Sequence, residues 1–290
     1  MLYRIRLKLC SPIVTPLKGD TIWGHIVWGI ANHDGEAVVA SFLEQAIEET
    51  PALIVSSAFP AGMVCRPLPA PQERTGTLTI ELYSTIKVEK KIKYAPASEY
   101  FVDTPASTEE MKNPFKSVMV MHNTMDRVTN TVLENGLYSV EEKWSQIVDW
   151  DLYILSSLPS ARIKELVEWA FENGYGADAS TGKGMITIEG DPVPVKTKKQ
   201  GNTYMALGPF VDANNGITNI RADIFIRSGK IGGAFAGSIS PYKKPVVLFD
   251  EGAVFESGKI IEFTGKLLDN MHGASEYNIC QSGFAPVIPV

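Results

Sequence analysis

Cysteine is scarce. Cys10, Cys65 and Cys280 are odd in number, far apart along 290 residues, and form no Cys-x-x-Cys pair. A disulfide framework and a zinc knuckle are thereby excluded, since both need closely spaced thiols in sets. Long apolar runs are missing as well, and none approaches the roughly 18 residues of a membrane span. Met1 to Leu7 alternates apolar and basic side chains and lacks the apolar centre of a signal peptide, so it is read as a strand and the expected location is a reducing cytoplasm. Positive charge is not in excess: 27 Lys and Arg stand against 33 Asp and Glu, a net charge of -6. Bulk attraction to phosphate is excluded, and a nucleic-acid ligand would need its cations gathered locally. Histidine is limited to His25, His33, His122 and His272, with no His-Glu-x-x-His and no Gly-x-Ser-x-Gly motif. Catalysis has little support, and no metal or cofactor is expected.

What the chain has is an ordinary apolar fraction, 44%, over a length that suits one large domain or two small ones. Leu2 to Leu9 alternates and predicts a half-buried strand. Asp20 reads as the cap of a helix over Thr21 to Ala31, and a second helix follows over Glu36 to Glu49. Leu53 to Phe59 predicts a strand. From Pro60 to about Tyr138 the prolines at 60, 67, 69, 71, 96, 105 and 114 argue against any long element. That stretch reads as an insertion carrying a ribbon formed by Leu78 to Lys87 and Val88 to Ala95. A strand at Leu152 to Leu158, a helix at Ala161 to Phe171 and a strand at Met185 to Glu189 complete a split α+β plan of the ferredoxin-like or RRM-like kind. Residues 1–190 are expected to form this domain, with its insertion at about 60–138. Residues 191–290 are expected to form a second, smaller unit, β-rich or a degenerate ferredoxin-like one. Strands are predicted there at Thr203 to Phe210, Arg221 to Ile226 and Pro245 to Phe249, with hairpin turns at Arg227–Lys230, Asp250–Gly252 and Glu256–Lys259.

Four segments could carry chemistry. The richest is Gly174-Tyr175-Gly176-Ala177-Asp178-Ala179-Ser180-Thr181-Gly182-Lys183-Gly184. It is not a phosphate-binding Walker loop: Ala177 and Gly184 stand where that motif needs Gly and Ser or Thr, and the helix precedes where it should follow. Its glycines, Gly176, Gly182 and Gly184 among them, could let backbone amides approach a bulky polyanion, aided by Ser180, Thr181 and Lys183. A surface connection without a ligand is the competing account. Lys18 and Gly19 precede a helix N-terminus and could touch phosphate, although Asp20 acting simply as cap is the better reading. Lys90, Lys91 and Lys93, interleaved with Ile92 and Tyr94, suit single-stranded nucleic acid, or equally a guarded edge strand. His122 to Asn130 is a dense polar run. It could present Asn123 and Arg127 to RNA, but reads slightly better as turn-forming.

Taken together, these segments resemble a known family. Thr15-Pro16-Leu17-Lys18-Gly19-Asp20-Thr21 with Gly24, Phe59-Pro60 followed by Pro67 and Pro69, Lys90 to Tyr94, His122 to Thr129 and Gly174 to Gly184 occur in the order seen in the RAMP superfamily. The nearest likeness is to the Cas-five-like subunit four of the type III-A (Csm) CRISPR effector complex. The matches cover about two thirds of the chain, and the remainder resembles the family loosely through turns such as Glu251 to Phe255. The resemblance implies RRM-like folds with a thumb-like insertion and a glycine-rich loop holding the 5′ tag of the guide RNA (crRNA). It also implies contacts with a large polymerase-like subunit and a backbone RAMP subunit, target RNA being met only indirectly. Lys18, Lys90, Lys91, Arg127 and Lys183 carry over as RNA-binding positions, and no catalytic residue does. The rival expectation is a RAMP endoribonuclease with His25 or His122 as base.

Overall fold

The computed structural model describes residues 1–70, 80–102, 104–105, 110–213, 216–232, 240–273 and 278–290. Pro71 and the start of the expected ribbon, Leu78 and Thr79, lie outside these. The first elements are β1 (Leu2–Leu9), α1 (Gly19–His33), α2 (Glu36–Ile47), β2 (Leu53–Pro60) and β3 (Met63–Cys65). Next come α3 (Ile80–Glu89), β4 (Ile92–Pro96), β5 (Met111–Lys112), β6 (Phe115–Asp126) and β7 (Thr131–Ser145). Then follow β8 (Asp149–Ser156), α4 (Ser160–Phe171) and β9 (Ile186–Pro194). The last seven are β10 (Thr203–Ala206), β11 (Ile217–Arg221), β12 (Ile224–Arg227), β13 (Val246–Phe249), β14 (Val254–Ser257), β15 (Phe263–Leu268) and β16 (Gln281–Pro289).

β1, β2, β8 and β9 form one antiparallel sheet in the order β2-β8-β1-β9. The alternation of β1 sends Ile5, Leu7 and Leu9 into the core, where Ile22, Trp23, Ile26 and Ile30 of α1 meet Ile163, Leu166, Val167 and Ala170 of α4. α1 and α4 approach closely because Gly29 has no side chain: a Cβ there would fall 2.8 Å from the Cβ of Trp169. The opposite face of the sheet is also covered. Phe59 and Tyr153 pack there with Phe101 and with Met205, Leu207, Val254 and Ile288 of a second sheet, ordered β11-β14-β10-β16-β15. Every described element after Pro194 is a strand.

Several expectations give way. Leu78 to Ala95 is not a ribbon: α3 occupies Ile80 to Glu89, because no Gly or Pro interrupts that run and the chain first turns at Lys90-Lys91. The prolines do not prevent long elements either. β6 and β7 pair over 12 and 15 residues, because the chain from Phe115 to Ser145 is free of proline. The turn expected within His122 to Asn130 is narrower, spanning Arg127 to Asn130. There Asp126 Oδ1 accepts from the Val128 amide (2.8 Å) and Asn130 adopts a φ of 55°. In the second half the predicted tight hairpins are absent. β12 pairs with β13 across residues 228–245, and β14 pairs with β10 and β11 and not with its neighbours in sequence.

Asp20 is not a cap. Lys18 occupies the cap position, and Asp20 lies inside the first turn, buried, accepting from Arg227 Nε (2.8 Å) and Nη2 (3.0 Å) and from Gln281 Nε2 (3.1 Å). Removing one partner of a buried ion pair strands the other charge. Asp20→Ala is therefore expected to cost about 3 kcal/mol in urea denaturation, whereas Lys8→Ala, which breaks a solvent-exposed pair with Glu189, should leave the urea midpoint essentially unchanged.

Candidate nucleic-acid interface

The glycine-rich segment folds into a closed turn. Its polypeptide is held from outside by the loop after β1: Gly184 N donates to Pro12 O (2.9 Å), Met185 N to Ser11 Oγ (2.9 Å) and Ala177 N to Thr15 Oγ1 (2.9 Å). Tyr175 is fully buried and its hydroxyl donates to Pro16 O (2.7 Å). Inside the turn, Gly174, Tyr175, Thr181, Gly182 and Lys183 donate to carbonyls of the same segment or of Phe171. Gly176 and Gly184 consequently do not open the backbone to a ligand. A Cβ at Gly184 would sit 2.1 Å from Tyr175 O, and one at Gly176 would sit 2.4 Å from Thr15 Cβ, both at positive φ. Their missing side chains make room for this protein's own chain. What faces outward is the tip, Ser180, Thr181 and Gly182, where Gly182 at φ +85° has open space around it. The amides of Asp178, Ala179 and Ser180 have no partner among the described residues.

Lys183 leaves this turn and meets the β6–β7 arm. Its Nζ contacts a carboxylate oxygen of Glu142, whose side chain is only 2% exposed on an otherwise open ribbon. The same region is stitched by backbone pairing between Ile13 and Lys143. Beyond that root the arm has no second layer. Met119, Met121, Leu137 and Tyr138 stand exposed along it, and Val128 is 91% exposed at the tip. His122 stacks on Tyr138 with centroids 5.5 Å apart. Asn123 and Arg127 are exposed, the latter at the turn. Ten residues of strand separate Arg127 from the root, about 30 Å at the usual rise.

Lys90, Lys91 and Lys93 are exposed at the end of α3 and on β4. β4 pairs with β5, placing Lys112 opposite Ile92, and β5 runs into β6 after two intervening residues. The structure thus gathers the lysine cluster from the end of α3 through β4 and β5 ahead of the arm, and brings Lys183 of the glycine-rich turn against the arm's return strand, with Asn123 and Arg127 far out. Lys112, not singled out in the sequence, joins the cluster. Its signal was faint, a lone lysine after masking prolines.

Lys18 and Gly19 belong elsewhere. Lys18 Nζ donates to Asp250 and to both carboxylate oxygens of Glu251 (2.7 Å each), and sits over the ring of Phe225. Gly19 is buried, its amide facing Ser57 Oγ (3.3 Å), and a Cβ would lie 2.6 Å from Val55 O. The N-terminus of α1 is closed against the second sheet, so neither residue has a donor left for phosphate. Burial, reinforced by neighbouring Asp250 and opposed by Lys18, raises Glu251 to about 7. Burial pushes Asp250 up as well, but there its hydrogen bonds and Lys18 win, and it is lowered. The outer face of the first sheet is likewise shut. Tyr153 is buried under Phe101, Arg6 pairs with Asp151 (2.7 Å) and Lys8 with Glu189 (3.2 Å).

Of the two candidate bases only His25 has its Nε2 hydrogen-bonded. His25 Nε2 accepts from the Gly176 amide (3.2 Å), and burial lowers its pKa against an opposing hydrogen bond with the Ala170 backbone. His122 Nε2 is buried, 3.9 Å from Glu142. No group of three metal-ligating side chains occurs among the described residues, and none of their helices is long and apolar enough to cross a membrane.

No protein-family model matches the chain, and no curated protein matches it. Solved structures match its fold from end to end. The fold is similar to that of a chain solved in the type III-A CRISPR-Cas interference complex. The structures matched are Csm4 chains, in line with the resemblance read from the motifs. One is from a Csm1–Csm4 cassette in complex with pppApA, at TM-score 0.60 and 14% identity over 100% of this chain and 98% of that one. Another is from a Csm3–Csm4 subcomplex of the type III-A interference complex, at TM-score 0.54 and 13% identity over 99% of both chains.

Two outcomes test this geometry. Gly184→Ala should abolish the closed turn and lower the melting temperature steeply, while Gly182→Ala, strained only by its φ, should cost about 1 kcal/mol. Glu251 binds its proton more tightly folded than unfolded, so its contribution to stability falls as pH rises from 4.5 to about 7. Glu251→Gln should flatten the melting temperature against pH across that window, and parallel curves for the two proteins would refute the assignment.

Proposed function

We propose that this chain is a non-catalytic subunit of a type III CRISPR effector complex that binds the 5′ tag of the guide RNA. In this reading it caps the backbone, contacting the large polymerase-like subunit and the adjoining backbone RAMP subunit. The first sheet is taken as a ferredoxin-like unit, since its four strands lie in the order second-third-first-fourth with α1 and α4 on one face. The partners follow from the full-length likeness in fold to Csm4 chains solved with Csm1 and with Csm3.

The observation that carries the RNA reading is the arm and what surrounds its root. In a chain of net charge -6, Lys90 and Lys91 in the turn after α3, Lys93 on β4 and Lys112 on β5 collect before the arm, none of them in an ion pair with another described residue. The glycine-rich turn meets the arm's return strand through Lys183, while its tip, with amides unpartnered among the described residues, faces outward. Cations for phosphates beside exposed rings and apolar side chains for bases are the ingredients of single-strand binding. The face an RRM would use is filled by Tyr153, Phe101 and paired charges, so the RNA is directed to the loops and the arm. The ribonuclease alternative loses ground because His25 and His122 both have their Nε2 turned inward.

Lys90→Ala, Lys91→Ala and Lys93→Ala combined should leave the melting temperature unchanged and weaken tagged guide RNA at least tenfold. The slope of log affinity against log salt should drop by about 2, at roughly 0.7 per phosphate contact on a single strand. An unchanged slope, or metal-independent cleavage of repeat RNA that is lost on His122→Ala, would overturn the proposal.

A further inference from the structure

The β6–β7 arm is a two-stranded ribbon, and such ribbons are marginal in water on their own. Its root therefore needs an anchor. Three backbone features supply part of one: the pairing of Ile13 with Lys143, the hydrogen bond from Leu9 N to Val148 O (2.9 Å), and that from Gln146 N to Pro114 O (2.9 Å). The side chain that stands out is Glu142. Opposite it across the ribbon is Val118, and its neighbours Glu141 and Lys143 face away from it. It is the one acidic side chain of the arm that is buried, and its contacts are Lys183 from the glycine-rich turn and, at 3.9 Å, His122 Nε2.

A carboxylate withdrawn from water needs a cation, and Lys183 is the cation supplied. Lys183 is itself mostly covered, 19% exposed, and reaches the pair from a turn otherwise held by the loop after β1 and by His25 of α1. Releasing Lys183 to a phosphate would leave Glu142 buried and unpaired. Its ammonium is thus a fixed point and not a free arm, with donors to spare at the junction.

We infer that Glu142 is a positioning residue: through Lys183 it pins the glycine-rich turn to the root of the arm, so that the two parts of the RNA surface keep one fixed geometry. This deepens the RNA-binding reading and rests on it for its purpose, but the pin itself is measurable without RNA. Removing Glu142 takes away a negative charge beside the RNA path, which by electrostatics alone would strengthen binding. A pin predicts the reverse.

The test uses the full chain and four proteins: wild type, Glu142→Gln, Lys183→Met, and Glu142→Leu with Lys183→Met, an apolar pair that restores contact without charge. Amide hydrogen exchange, without RNA, is read at residues 139–144 and 182–186. Both single variants should exchange at least tenfold faster there, with protection in β1 and α4 unchanged, and the double variant should return towards wild type. Tagged guide RNA should bind Glu142→Gln about tenfold more weakly. Unaltered exchange in the single variants, failure of the apolar pair to restore protection, or tighter RNA binding by Glu142→Gln would each overturn the inference. The lysine-cluster variant runs alongside. If it also binds RNA as wild type does while the exchange results hold, the RNA reading fails and the pin stands.

Discussion

Two buried ionic contacts at the start of α1 hold the rest in place. Asp20 receives Arg227 from the β12–β13 pair and Gln281 from the second sheet, and Lys18 reaches back to Asp250 and Glu251, with Phe225 lying under both cations. Neither contact is cheap in desolvation, and neither is optional once the charges are inside. They fix which helix end faces which sheet. A serine bulge in β2 completes the join: Ser57 N bonds Leu207 O and its hydroxyl reaches Glu251, while Ala58 N bonds Leu17 O.

This closure redistributes the functional surface. A helix N-terminus and an open sheet face are the usual invitations to phosphate and base, and here both are occupied by protein. What stays open is peripheral: the lysines of α3 and β4, the tip of the glycine-rich turn and the arm. The glycines show the same shift from ligand to scaffold. At Gly176 and Gly184 the absent side chain admits Thr15 and Tyr175, and only around Gly182 is there unfilled space.

The sheet and its two helices were legible because their signals are local. Alternation in β1 and the spacing of Ile163, Leu166, Val167 and Ala170 in α4 each state which face is inside. Asp20 was misread because its position before an apolar run is that of a cap, while the group that claims it lies 207 residues away. Glu142 escaped notice for a similar reason: in Glu141-Glu142-Lys143 it looks like part of a solvated run, and only the fold reveals that one of the three points inward. The motifs of the RAMP resemblance fared well at the level of fold, since a set of segments in a fixed order constrains topology more than any one of them constrains a contact. Lys18 and Gly19 lay within a matched segment and still turned out to serve the join between sheets.

A bare ribbon also has edges. Beyond the pairing of Lys143 with Ile13, both long sides of the β6–β7 arm carry backbone donors and acceptors with no neighbouring strand among the described residues, which makes it a template for pairing with another copy of itself. Glu134, Glu141, Lys116 and Lys143 interrupt that invitation with charge, and the irregular step at Asn123 to Met125, where Asn135 takes a φ of 60°, breaks the flat edge. The arm can be long and carry exposed apolar side chains along its strands because its edges are interrupted by charge and by the bulge.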